Sequence, residues 1–178
     1  MTTKGSRKNQ IFTIGHSVRT LEAFREILSV HEVTILADVR SFPRSYRNPQ
    51  FNTKVMDAQL AKYGIEYVWL PKLGGRRKGF GKKSRNTCWK NKSFRNYADY
   101  METPPFLDGI EELIQLSERG TVAIMCAEAL YWSCHRSMIA DFLKSKGIVV
   151  THIFDGKHTR EHEYTQCAKI IDGKLAYS

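Results

Sequence analysis

Cys134-His135-Arg136-Ser137 places a thiol, an imidazole, a guanidinium and a hydroxyl in consecutive positions. The apolar spacing that follows predicts a helix from Cys134 to Lys146, capped by Ser133. A helix N-terminus offers unpaired N–H groups and the positive end of a dipole. Arg136 adds a two-pronged donor that suits phosphate or sulfate. The four residues are expected to hold an anion.

Two carboxylates follow strand-like runs, Asp38 after VTILA and Glu128 after TVAIMCA. A paired or desolvated carboxylate activates water or stabilises a cationic sugar transition state. The same residues also suit structural ion pairs, Asp38 with Arg40 and Glu128 with Arg136. His16-Ser17 reads either as a proton shuttle or as a cap beside a satisfied core histidine. Cys126 is a candidate nucleophile, since a thiolate forms more easily near His135 and Arg136. Burial as a packing thiol is the commoner fate of such a residue.

Lys72 to Arg95 holds ten Lys or Arg residues, and no Asp or Glu occurs between Glu66 and Asp99. Lys72, Arg76, Arg77, Lys78, Lys82, Lys83 and Arg85 are expected to meet phosphates, helped by Arg40, Arg44 and Ser17. Gly74 and Gly75 would let backbone approach a phosphate closely. Trp89, Tyr131 and Trp132 are the aromatics expected to stack on bases. A solvated basic surface is the plain alternative.

These groups need a scaffold. The chain has 178 residues, a charge of +10, and 42% apolar and 26% charged residues. That is globular composition, with no run long enough to span a membrane. Strand runs begin near Gln10, Val33, Ile65, Thr121 and Ile148, separated by helix-length segments. The pattern predicts a three-layer α/β fold with a mainly parallel five-stranded sheet flanked by helices. Residues 1–9 read as a flexible basic arm, 10–178 as one domain, 72–95 as a basic loop insertion and 155–178 as a polar C-terminal segment. In such a sheet, ligands bind beyond the carboxyl ends of the strands. Cys88, Cys126, Cys134 and Cys167 form no CxxC pair and, with no secretory signal, are expected to be thiols of a cytoplasmic protein. His158-Thr-Arg-Glu161-His162 matches a zinc-peptidase spacing but lies in the polar tail, so no metal and no cofactor are assigned.

TIGHS at 13–17, ADVRSFPRS at 37–45, LPKLGGRR at 70–77, YADYM at 97–101 and MCAEALYWSCHRSMIADFL at 125–143 occur in one order. Together they resemble the domain-of-unknown-function 488 family. The resemblance implies an α/β fold. It also implies functional roles for His16, Ser17, Asp38, Arg40, Gly74, Gly75, Cys126, Glu128, Cys134, His135 and Arg136. Relative to the family, Ala129 to Ser133 is a longer insert that carries Tyr131 and Trp132.

The leading expectation is an enzyme acting on nucleic acid, double-stranded DNA first. It would be a glycosylase-type repair hydrolase using Asp38 or Glu128. A thiol-dependent phosphoryl or sulfur transferase using Cys126 or Cys134 is the second expectation. Cysteine phosphatases and sulfurtransferases, however, cradle their anion in a loop shorter than the ten residues from Cys126 to Arg136. A non-catalytic nucleic-acid-binding module is the third.

Overall fold

Apolar side chains along the strands alternate between the faces of one sheet, and helices cover both faces. In the computed structural model, which describes residues 10–178, five strands run parallel. They are β1 (Gln10–Gly15), β2 (Ile35–Asp38), β3 (Glu66–Trp69), β4 (Val122–Cys126) and β5 (Val149–Ile153). The arm expected over residues 1–9 lies outside the described residues. A sixth strand, β6 (Thr159–Glu161), joins β5 antiparallel, giving the order β3-β2-β4-β1-β5-β6. The three-layer α/β fold is as expected, with six strands in place of five.

The layering follows from the direction of travel across the sheet. From β1 through β2 to β3 the chain steps one way, and from β4 to β5 it steps back. Right-handed crossovers then put α1 (Leu21–Val30) and α2 (Thr53–Ala61) on one face. They put α3 (Lys92–Tyr100), α4 (Pro104–Arg119) and α5 (Arg136–Ser145) on the other. Phe12, Ile14, Leu36 and Met125 pack with Phe24, Leu28, Met56 and Leu60. Ile11, Ala37, Ile124 and Cys126 pack with Phe106, Leu113, Met138 and Ile139. Period-two alternation thus sends Met125 to the first face and Cys126 to the second.

Several helix ends obey local chemistry. Thr20 Oγ1 accepts from Ala23 N at 3.2 Å and caps α1. Asn91 Oδ1 accepts from Ser93 N at 2.8 Å and caps α3. The helix expected from Cys134 begins instead at Arg136, with His135 in the cap position and Cys134 extended.

The polar C-terminal segment is structured. β7 (Lys169–Ile171) and β8 (Lys174–Ala176) form a hairpin around Asp172 and Gly173, whose φ values are 49° and 74°. A two-residue turn of this hand matches the twist of the strands it joins. Buried Asp141 on α5 draws the segment in, accepting from Thr165 N, Thr165 Oγ1 and Tyr177 Oη at 2.9, 2.6 and 3.0 Å. Cys88 and Cys167 form a disulfide, which corrects the expectation of four thiols; Cys126 and Cys134 stay unpaired. The tail folds back over the basic loop and brings two cysteines 79 residues apart within bonding range. Closing so long a loop removes about 4.5 kcal/mol of unfolded-chain entropy. No described helix is long and apolar enough to cross a membrane.

Candidate functional site

β1 and β4 are neighbours whose outgoing connections turn to opposite faces of the sheet. A parallel sheet opens a crevice beyond such a pair. Gly15 and Cys126 are register partners at that edge. His16 N and Ser17 N extend the pairing to the Cys126 and Ala127 carbonyls, both at 3.0 Å, with Ser17 at a φ of 51°. A Cβ on Gly15 would lie 1.9 Å from the Glu128 carbonyl oxygen, so only glycine lets the chain cross there.

A cleft of about 500 Å³ opens above this edge. Its walls include Cys126, Cys134, His135, Glu128, Arg44 and Arg76. The Cys126 and Cys134 sulfurs and an imidazole nitrogen of His135 all lie within 4.8 Å of one another. Cys134 Sγ is 3.7 Å from His135 Nδ1 and accepts from Arg136 N and Nε at 3.4 and 3.3 Å. Burial alone would push the Cys134 thiol up. Hydrogen bonding from Cys126 and the charges of His135 and Arg136 outweigh it and hold Cys134 well below the ordinary thiol value. Cys126 goes the other way, raised by its hydrogen bond to Cys134 and then by burial.

His135 Nε2 donates to the Val39 carbonyl at 2.8 Å. Gly75 lies flat against the same ring. A Cβ there would sit 2.5 Å from Nδ1 and 2.8 and 2.9 Å from the carbons beside it. Gly74 lies as closely on Ser41, whose Oγ accepts from Arg76 N at 2.9 Å.

Arg136 does not reach into the cleft as an anion grip. It is 1% exposed and turns back from the first turn of α5 onto Cys134 Sγ and the Glu128 backbone carbonyl. Ser137 Oγ donates to the Cys134 carbonyl and closes the same turn. The expected Glu128–Arg136 contact is therefore made to backbone, and the Glu128 side chain stays exposed on the cleft wall.

Asp38 is fully buried and held by neighbours. Its oxygens accept from Arg40 N, Nε and Nη2 and from Tyr67 Oη, at 2.6 to 3.1 Å. It is the ion-pair partner of Arg40 and does not line the cleft. His16 stacks on Phe51 with ring centroids 4.2 Å apart. Its Nδ1 donates to the Ser17 carbonyl at 2.8 Å, which leaves Nε2 to accept from Arg40 Nη1 at 3.3 Å. Burial brings His16 down to about 4, against the raising effect of the Ser17 carbonyl, so it is neutral at pH 7. This is a satisfied core histidine.

The basic loop divides into structural and exposed charges. Lys72 pairs with Glu112 at 2.7 Å and Asp108 at 3.8 Å, and Arg85 lies 3.7 Å from Glu102. Arg77 donates to the Gly74 and Pro71 carbonyls and lies 4.0 Å above the Tyr100 ring. Trp89 packs between Phe94 and Tyr177 in the core margin. Arg44, Arg76, Lys78, Lys82 and Lys83 are exposed and make no ion pair among the described residues. Exposed Phe42 stands beside the Arg76 guanidinium at 5.6 Å. Tyr131 stacks on buried His152 at 3.4 Å, while Trp132 is about half exposed.

Sequence reasoning missed two parts of this arrangement. Buried Asp99 organises the loop, accepting from Phe80 N, Ser84 Oγ and Asn86 Nδ2 at 2.7, 2.5 and 2.8 Å. Ser41 and Phe42, in the loop after β2, contribute to the cleft wall. The acid inside YADYM, alone after a long acid-free stretch, was the available signal for Asp99.

Comparison with protein-family models matches residues 20–143 to the family described as Domain of unknown function DUF488. No curated protein and no solved structure matches the chain.

Proposed function

We propose that this chain, which belongs to the DUF488 family, is a hydrolase acting on nucleic acid in the cleft between β1 and β4, with DNA as the first substrate to test. The carrying observation is that Cys126, Cys134, His135 and Glu128 share one cleft with Arg44 and Arg76. The exposed cations continue along the loop through Lys78, Lys82 and Lys83. Such a rim suits a run of phosphates, and Phe42 and Trp132 offer faces for a displaced base. Glu128 is the carboxylate of the cleft wall. It is placed to orient water or to stabilise positive charge developing on deoxyribose. Asp38 serves instead by fixing Arg40. The glycosylase form of the reading thus rests on Glu128, with the sulfur–imidazole cluster in the same cleft.

The two Arg136 N–H contacts to Cys134 Sγ favour one second reading, phosphoryl transfer through a thiolate. The Cys134 sulfur would form a bond to phosphorus while the ester oxygen leaves with the Cys126 proton. Water would then break the S–P bond, releasing phosphate and restoring the thiol.

The deciding experiment incubates the protein with duplexes that each carry one modified base, followed by mild alkali to reveal abasic sites. Abasic product that is lost in Glu128→Gln, with DNA affinity intact, supports the hydrolase. In the same reactions run on 5′-phosphorylated duplexes, phosphate release that survives Glu128→Gln but is lost in Cys134→Ser supports the thiol reading. Absence of abasic product, of released phosphate and of salt-dependent DNA binding removes both.

A further inference from the structure

We propose that Cys126, Cys134 and His135 form a three-ligand site for a thiophilic divalent metal, zinc by preference, with the fourth position open to the cleft. This deepens the hydrolase reading and rests on it for the use of that open position.

The first support is spacing. The three ligand atoms lie within 4.8 Å of one another, and Cys134 Sγ is 3.7 Å from His135 Nδ1. Zn–S and Zn–N bonds of about 2.3 and 2.05 Å, held at a tetrahedral angle, put S and N about 3.6 Å apart. The pair already stands at the separation an ion requires.

The second support is the outer shell. Val39 O can only accept, so Nε2 carries a proton, and Nδ1 is the nitrogen whose in-plane lone pair an ion would take. A backbone carbonyl on the far nitrogen is the usual way a ligating histidine is oriented. Gly75 lies over the ring face near Nδ1. It fixes the ring plane without standing in the path of that lone pair. Arg136 N and Nε both point at Cys134 Sγ, the contacts a metal-bound thiolate retains.

The third support is charge and placement. Two thiolates, one neutral imidazole and one divalent ion sum to zero, the least costly state to bury. Two sulfurs and one nitrogen select a soft or borderline ion over magnesium or calcium. The ligands come from separate, rigid elements. Cys126 ends β4, and Cys134 and His135 lead into α5. All three line the cleft that Glu128 also borders, so a water in the fourth position would share that cleft with Glu128. A metal ion lowers the pKa of such a water and makes it a nucleophile near neutral pH. The arrangement matches catalytic zinc sites, which keep three protein ligands and one open position.

The test uses the reduced full-length chain titrated with Co²⁺ and then Zn²⁺. We expect a sulfur-to-cobalt charge-transfer band and intense tetrahedral d–d bands, saturating at one ion per chain and erased by Zn²⁺. Cys126→Ser, Cys134→Ser and His135→Gln should each weaken Co²⁺ binding by about tenfold or more. Cys88→Ser/Cys167→Ser and His158→Ala should leave the bands unchanged, which excludes the disulfide pair and the tail histidine as the source. Should a ligand variant fail to fold, zinc protection answers in the wild type. Bound Zn²⁺ should slow alkylation of Cys126 and Cys134 at least tenfold. No charge-transfer band together with unchanged alkylation overturns the site. DNA anisotropy on the same apo and zinc-loaded samples separates the two ideas. DNA binding without metal leaves the nucleic-acid reading standing and removes the metal, while metal without DNA binding does the reverse.

Discussion

Asp38 holds the Arg40 guanidinium with both carboxylate oxygens, at 2.6 to 3.1 Å, and the two side chains are 0% and 6% exposed. Breaking such a pair strands a buried charge. Asp38→Asn should therefore cost about 3–5 kcal/mol in denaturant unfolding. The double variant Asp38→Leu/Arg40→Met should lose less than Asp38→Asn alone. A single-variant cost under about 1 kcal/mol would mean that water reaches Arg40 and that the pair is not a structural anchor.

The two classes of cation in the basic loop should separate in a salt titration. Replacing Arg76, Lys78, Lys82 and Lys83 with Ala should weaken duplex binding and flatten its dependence on salt, each phosphate contact lowering the slope by about 0.9. Lys72→Ala should leave the slope unchanged, because Glu112 and Asp108 already engage its ammonium. If the fourfold variant keeps the wild-type slope, the rim is solvated surface.

Stability should fall on acidification before the carboxylates titrate. His16 is held at about 4 and His152 at about 3, both chiefly by burial, against 6.5 when unfolded. In each case the unfolded chain binds the proton first. The stability is complete above about pH 6.5 and is lost as pH falls through that value toward the folded pKa. Each group contributes a slope of up to about 1.4 kcal/mol per pH unit in that window. Urea unfolding at several pH values between 7 and 4.5 reads it directly. A flat profile, or one unaltered in His16→Asn, would show that protonated His16 is accommodated.

Reduction should loosen the C-terminal segment. Cys88→Ser/Cys167→Ser should lose about 2–5 kcal/mol. Limited proteolysis should cut the variant first within 78–90 or 163–170. Equal stability with and without the bridge would mean that Asp141 and its partners hold the tail unaided.

Much of the scaffold was legible in residue order. The five apolar runs mark the parallel strands because both faces of such a sheet are covered, so their composition is close to uniform. Thr20 and Pro104 marked helix starts through local chemistry. The C-terminal segment was legible only in part. Asp172-Gly173 carries the strongest short hairpin signal, yet the flanking strands are three residues each and show little alternation. The Cys88–Cys167 bridge depends on a fold-back that no local pattern encodes. The site was legible as a set of residues and illegible as an arrangement. That Arg136 turns inward, that Asp38 is consumed by Arg40, and that Gly75 lies on His135 are consequences of packing between segments far apart in the chain.

β6 finally bears on how the molecule behaves at high concentration. A sheet with bare borders recruits strands from other chains. Here one border ends in three exposed residues, Thr159, Arg160 and Glu161, too short and too charged to template an addition. At the opposite border, on β3, Glu66 is tied to Arg119 at 2.7 Å. A chain that lost β6 would expose β5, with its apolar run Val149-Val150, as a new border. Such a shortened form should aggregate where the full chain stays dispersed.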